Sequence, residues 1–353
     1  MKKYSVVRKY FTIGVMFFFI GTSTVPSMRS EFLSEKNIIT VDDEPGDADF
    51  SSIKEAVNSS NPGDTNQVYS GPYPEDEILI TKENVSLLGI SHELGEGNDS
   101  GKPFIKGNGN EAVIRIEASH VIVSNFTIEN PHTEIPLPFV CGIYVAKDYD
   151  PAYDDVTISD CIISNTECGT YVAHVEHIRI IGNQISNCML GGVATDYGSL
   201  QIMGFIVTGN VITDCRDVGI YYSGFGDHIN ISGNRIRNCK VGIDVSDDNT
   251  NIYMNDIENC TPGVECAGSG NIITKNNFKN YKPFGFWFYK YLLWPNKNKW
   301  RGNYWDTWKG TGPKAILGFK VFEWSSLNGG FFLILIPWIE FDWHPAKEPY
   351  DIP

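Results

Sequence analysis

The residues best suited to chemistry are tyrosines and acids that recur at one place in a repeating unit. Tyr144, Tyr171, Ala194, Tyr221, Asp244, Glu265 and Trp287 each stand two residues after a glycine, in a segment that reads Gly-aliphatic-x-aliphatic. Neighbouring side chains of an extended strand point to opposite faces, so this column points outward if the apolar residues beside it point in. Tyrosine rings stack on pyranose faces and carboxylates bond sugar hydroxyls. Tyr144, Tyr171, Tyr221, Asp244 and Glu265 are therefore candidates for holding a polysaccharide or glycan. The alternative is a solvated strand face in which tyrosine serves only its β-propensity.

The loops leaving that strand carry most of the other polar candidates. They supply Asp148, Asp150, Asp154 and Asp155, then His174, Glu176 and His177, then Asp196 and Tyr197, and later Asp227, His228, Asp247 and Asp248. Acid–base catalysis would draw on Asp154, Asp155, His174, Asp196, Asp244 or Asp247, and Tyr197 joins the ligand-binding set. A Ca2+ site, which needs several oxygen donors, would come from the same loops. No cofactor is identified and no metal ligand set is assigned, because acidic turns also serve simply to solvate a negatively charged chain.

What must position these residues is a repeat of 21 to 27 residues. A first asparagine column runs Asn183, Asn210, Asn234, Asn255 and Asn276, with Cys161 one turn earlier. Two residues on come Ile163, Ile185, Ile212, Ile236, Ile257 and Phe278, and two further on Asn165, Asn187, Asp214, Asn238, Asn259 and Asn280. Three residues before the first column stand Ile158, Ile180, Val207, Ile231, Ile252 and Ile273. The glycine column is Gly142, Gly169, Gly192, Gly219, Gly242, Gly263 and Gly285. Short segments with apolar residues at period two are half-buried strands, and units of this length without a helix stack in parallel, each burying its aliphatic side on its neighbours. The fold expected is all-β: a single-stranded right-handed parallel β-helix over 38–290. Asn and Gly are expected to supply the left-handed backbone of its corners, and interior asparagines to form amide ladders. Cys188, Cys215, Cys239 and Cys260 follow the second asparagine column and read as stacked free thiols; Cys141 and Cys168 precede the glycines and are the pair in disulfide range if any is.

The ends differ from the middle. Residues 1–25, with Lys2, Lys3, Arg8 and Lys9 before an apolar run, read as a signal peptide or an N-terminal anchor, which would be the chain's only contact with a membrane. Localisation would then be secreted, extracellular or periplasmic. Phe50, Ile53, Ala56 and Val57 share one helical face, with Ser52 and Glu55 in capping-box spacing, so a capping helix is expected there. All eight Trp fall between Trp287 and Trp343, marking 291–353 as an aromatic-rich capping segment in which Phe331–Trp338 reads as a buried strand. A net charge of −15, from 43 acidic and 28 basic residues, argues against a nucleic-acid partner.

Val41-Asp42-Asp43, the short helix, Pro62-Gly63-Asp64-Thr65 and Tyr69-Ser70-Gly71-Pro72-Tyr73 together resemble the opening of NosD-type and related pectin-lyase-like parallel β-helix proteins, and Asn303-Tyr304-Trp305-Asp306 resembles the motif that closes their archaeal members. The resemblance spans about Ile39 to Trp308. It implies a secreted β-helix and, through the NosD name, a role in maturing a copper enzyme, although copper needs soft-ligand clusters that scattered Met and buried Cys do not provide. Motifs of polygalacturonase-like, pectate-lyase-like and alginate-epimerase-like enzymes are incomplete here, so no catalytic residue is carried over. Three readings stay open: a glycan-binding or envelope protein, a polysaccharide lyase, hydrolase or epimerase with a divergent lateral site, and a copper-enzyme accessory protein.

Overall fold

A computed structural model describes residues 36–352 apart from 45, 96, 132–139, 147–152, 197–201, 225, 227, 281–285, 292–297 and 326–330. The expected signal or anchor at 1–25 and Tyr197 lie outside the described residues. Over the rest the chain coils into a parallel β-solenoid of about 10 turns with very little helix. One face is an 11-stranded sheet from Ile38–Val41 to Lys299–Arg301, and every pairing in it is parallel.

The interior is a set of like residues one above another. Tyr73, Ile105, Ile128, Ile163, Ile185, Ile212, Ile236, Ile257, Phe278 and Trp305 pair in register from coil to coil as one inward file. None is more than 2% exposed. At its end Phe278 and Trp305 stack with ring centroids 4.4 Å apart. A second file on the 11-stranded face runs Val123, Ile158, Ile180, Val207, Ile231, Ile252, Ile273 and Trp300. The stack thus continues past residue 290, through Lys299–Arg301 and Tyr304–Trp305.

Polar ladders fix the corners. Asn183 donates its backbone N and its Nδ2 to Asn210 Oδ1 at 2.9 and 3.0 Å, and the same pair of bonds joins Asn210 to Asn234, Asn234 to Asn255, Asn255 to Asn276 and Asn276 to Asn303. Each amide is buried and also donates to a carbonyl of the aliphatic column, as Asn234 does to Val207 O at 2.9 Å, so no donor is left over. The second column does take left-handed backbone, with φ of 55° at Asn165, 57° at Asp214 and 56° at Asn259.

The glycine column works differently from the expectation of left-handed corners. Gly142, Gly169, Gly192, Gly219 and Gly242 are not left-handed. A Cβ on any of them would lie 2.3–2.8 Å from the carbonyl oxygen of the next glycine and 2.4–2.8 Å from the Cγ2 of Ile163, Ile185, Ile212, Ile236 or Ile257. They are glycine because two strands and an isoleucine close on one point.

All eight cysteines are buried free thiols, including Cys141 and Cys168, which pair in register. Near the start, Ile53–Ser59 is helical; Ser52 Oγ accepts from Glu55 N at 3.3 Å, and Ile53, Ala56 and Val57 face the core. Near the end, Lys314–Ser325 and Phe331–Asp342 form an antiparallel hairpin. The expectation of a buried strand holds for its extended conformation but not for its apolar end, since Ile336, Trp338 and Ile339 are 39%, 40% and 49% exposed.

Candidate functional site

The outward column is continuous. Arg115, Tyr144, Tyr171, Ala194, Tyr221, Asp244, Glu265 and Trp287 are paired rung to rung. Its tyrosines do not offer open ring faces, however. Tyr144 lies flat on Tyr171, with centroids 5.5 Å apart and planes 3° from parallel, and the Arg115 guanidinium sits 5.5 Å from the Tyr144 centroid. Rungs about 4.8 Å apart make successive aromatic rings stack on each other, so the file presents edges and hydroxyls. Tyr171 donates its hydroxyl to Asp196 Oδ1 at 2.9 Å. Ala194 and Tyr221 are each only 7% exposed, because this side of the sheet carries its own apolar cluster with Ala112, Cys141, Cys168 and Val218.

Two carboxylates, Asp244 and Glu265, follow on the next rungs of the file. Asp244 is half-buried, and burial, then the charges of Glu265 and Asp217, push its pKa from 3.8 up to about 7. Asp217 itself pairs with Lys240 at 2.7 Å. Asp244 therefore still holds a proton near neutral pH beside Glu265 on the next rung, an arrangement that can donate a hydrogen bond or a proton.

Asp196 apart, several of the described loop candidates are engaged away from the file. Asp154 Oδ1 meets His177 Nδ1 at 2.8 Å; Asp155 pairs with Arg179 and, at 3.7 Å, with His120, and the Arg179 hydrogen bond holds its carboxyl below the usual range. His120, Asp155, His177 and His228 are corner residues with φ between 52° and 65°. His174 also has a left-handed backbone, and its Nδ1 is buried without a hydrogen bond. Asp247 accepts from Gly226 N at 3.0 Å and Asp248 N at 2.7 Å, shaping a turn. Asp148, Asp150 and Asp227 lie outside the described residues, and the described loop acids do not converge into a set of three ligands. Two arginines are engaged as well: Arg237 pairs with Glu258 and Asp256, and Arg235 donates to Ile352 O at 2.7 Å.

The two triads that do converge lie in the opening coils: Asp42, Asp43 and Glu44, and Glu44, Glu93 and Asp99, each with ligand oxygens within 4.8 Å of one another. Asp42 is fully buried, and burial with the charges of Glu93, Glu44 and Asp43 pushes its pKa up to about 7. Burial also raises Asp43 and Glu44. Three adjacent acids directly after a strand were visible in the sequence, but their partners Glu93 and Asp99 come from a corner some fifty residues away that carries no repeat signal.

The lateral file and the ladders define the class: a parallel β-helix. The profile of the NosD family, described as periplasmic copper-binding protein (NosD), matches residues 98–310, and the chain belongs to that family. No curated protein matches it in sequence. In fold it is similar to a GH136 lacto-N-biosidase from Eubacterium ramulus, at 12% identity and TM-score 0.53 over 76% of this chain, which spans 64% of that structure. It is also similar to DFA-IIIase from Arthrobacter chlorophenolicus A6 in complex with DFA-III, at 15% identity and TM-score 0.53 over 81% of this chain and 84% of the other.

Among the described residues, those that converge do not suit copper. The convergent ligand sets among the described residues are entirely carboxylate, which are hard donors. The thiols of Cys215, Cys239 and Cys260 stack in the interior, where bonding between successive thiols and burial raise them. Among the described residues no helix is long and apolar enough to cross a membrane.

Proposed function

We propose that this protein is an exported β-helix that binds a carbohydrate chain along its lateral file, with Tyr144 and Tyr171 giving edges and hydroxyls beside a buried Tyr221, and Asp244 and Glu265 bonding sugar hydroxyls. The observation that carries the reading is the half-buried Asp244, which keeps a proton near neutral pH at the end of the tyrosine file, where it can both donate and accept. Membership of a family described as periplasmic and a shared fold with a lacto-N-biosidase support it. A glycan array on the full chain tests it: binding should fall at least about tenfold in Asp244→Ala, the loss of a bidentate polar contact of about 1.4 kcal/mol. Wild-type binding to no glycan, or binding unchanged by both Asp244→Ala and Tyr171→Ala in folded protein, would remove the reading.

The same observation favours a second reading, catalysis by this pair. A proton-holding Asp244 beside the Glu265 carboxylate is the acid–base pairing that glycoside cleavage requires. New reducing ends or unsaturated products that disappear in Asp244→Asn would decide for an enzyme, and binding without product for a glycan-binding or envelope role.

A further inference from the structure

The opening coils hold acids that the lateral-face reading does not use. Three successive corners meet there, after Ile38–Val41, Thr65–Val68 and Ser86–Gly89. Backbone bonds fix their geometry: Asp42 N to Phe50 O at 3.1 Å, Tyr69 N to Val41 O at 2.8 Å, Ile90 N to Val68 O at 2.7 Å and Ser70 N to His92 O at 3.2 Å. Ser70 Oγ ties the middle corner to Gly101 O at 2.6 Å. The acids are thus carried on a rigid frame rather than on a loose loop.

Within that frame the oxygens of Asp42, Asp43 and Glu44 face one another, and Glu93 and Asp99 close on Glu44 from the next corner. Independently of the clustering, Asp42 is 0% exposed and neither of its oxygens meets a donor. Asp43 Oδ1 and Glu44 Oε2 are also buried without a hydrogen bond, and no Lys, Arg or His pairs with any of the five acids among the described residues. Space has been made for them as well: Asp43 Oδ1 lies 1.6 Å from where a Cβ on Gly71 would stand. The Tyr73 hydroxyl, the obvious nearby donor, points instead to Tyr69 O at 2.9 Å. A buried carboxylate with no partner is among the most costly arrangements a fold can contain.

We infer that Asp42, Asp43 and Glu44, with Glu93 and Asp99 behind Glu44, form a Ca2+ site that pins the first coils of the solenoid together. An all-oxygen, multi-carboxylate set suits Ca2+ better than copper, which prefers nitrogen and sulfur, or Mg2+, which demands a small octahedron. The affinity expected is that of extracellular calcium modules, with Kd at or below about 1 mM. The ion takes the place of the missing donors to Asp42 and cancels the repulsion among the five acids.

Thermal unfolding of the full chain, in chelator and in Ca2+ at about 100 times Kd, tests this. Wild type should gain about 5 °C in Tm. Asp42→Asn and Asp43→Asn should lose that gain while their metal-free Tm equals or exceeds that of wild type, and Asp244→Asn on the lateral face should keep it. Should the buried variants not fold, Glu44→Gln, which is partly exposed, gives the same comparison. The inference is overturned if wild type shows no Ca2+-dependent shift, if the shift survives both Asp42→Asn and Glu44→Gln, or if Cu2+ at equal free concentration stabilises more than Ca2+ through these residues.

Discussion

Two aspartates, one near each end of the solenoid, are equally buried and oppositely treated. Asp342 and Asp42 are both 0% exposed. Asp342 Oδ2 accepts from Asn303 N at 2.9 Å, Asn303 Nδ2 at 3.0 Å and Trp305 Nε1 at 3.3 Å, and its Oδ1 accepts from Gly302 N and His344 N at 3.1 Å each. It ends the interior asparagine ladder by giving the last donors an anion. Asp42 receives no N–H donor; a second carboxyl, Glu93, faces it instead. Burial of a carboxylate therefore says little by itself; the donors around it separate a structural anion from a site that awaits a cation.

The contrast yields ordered expectations. The largest effect belongs to Asp342→Ala, which strands buried N–H groups of Asn303, Gly302 and Trp305 and should cost about 4 kcal/mol in urea denaturation. Asn234→Ala breaks the same ladder in its middle, leaving the donors of Asn210 without an acceptor. A loss of about 2–3 kcal/mol is expected by the same measurement. A cost below about 1 kcal/mol in either would mean the ladder is not what terminates and registers the coils.

The third expectation concerns pH. Asp42 rises from 3.8 to about 7 on folding, so metal-free native protein binds this proton more tightly than the unfolded chain does. The associated stability is complete below about pH 4 and is lost as pH rises through 7. Relative to wild type in chelator, Asp42→Asn should remove that decline, and Ca2+ should remove it without any substitution. Asp244, raised over the same interval but only half-buried, should show a smaller difference in the same direction between wild type and Asp244→Asn. An Asp42→Asn profile that declines as steeply as wild type between pH 4 and 7 breaks the contrast.

How much of this was legible depends on whether a residue repeats. The file Ile185, Ile212, Ile236 and Ile257 and the outward column from Tyr144 to Glu265 could be read because each coil restates them, and the stacked coils keep both in register. The glycines were visible as a column but not for their cause, since close approach of carbonyl and Ile Cγ2 is a property of stacked coils rather than of one strand. Stacking also turned the tyrosine faces toward each other, which no single rung reveals. Of the non-repeating pieces, the Ile53–Ser59 helix was legible from its Ser52–Glu55 capping spacing, whereas long-range partners were not. Glu93 and Asp99 reach Glu44 only through the corner geometry. The tail after Phe341 carried no recognisable chemistry, yet it supplies Asp342 and runs back over earlier coils, with Tyr350 N on Asn277 Oδ1 at 2.8 Å and Ile352 O on Arg235.

The most direct test sets Asp42→Asn beside Asp342→Asn in chelator at neutral pH, with chemical denaturation as the readout. Asparagine nearly keeps the shape of each side chain, removes its charge and turns one acceptor oxygen into an N–H donor, a change that only Asp342, with N–H donors on both oxygens, should feel as a loss. The account predicts opposite signs: Asp42→Asn as stable as wild type or more so, and Asp342→Asn less stable by at least about 1.5 kcal/mol, the worth of one charged hydrogen bond. Destabilisation by both, to a similar extent, would contradict it.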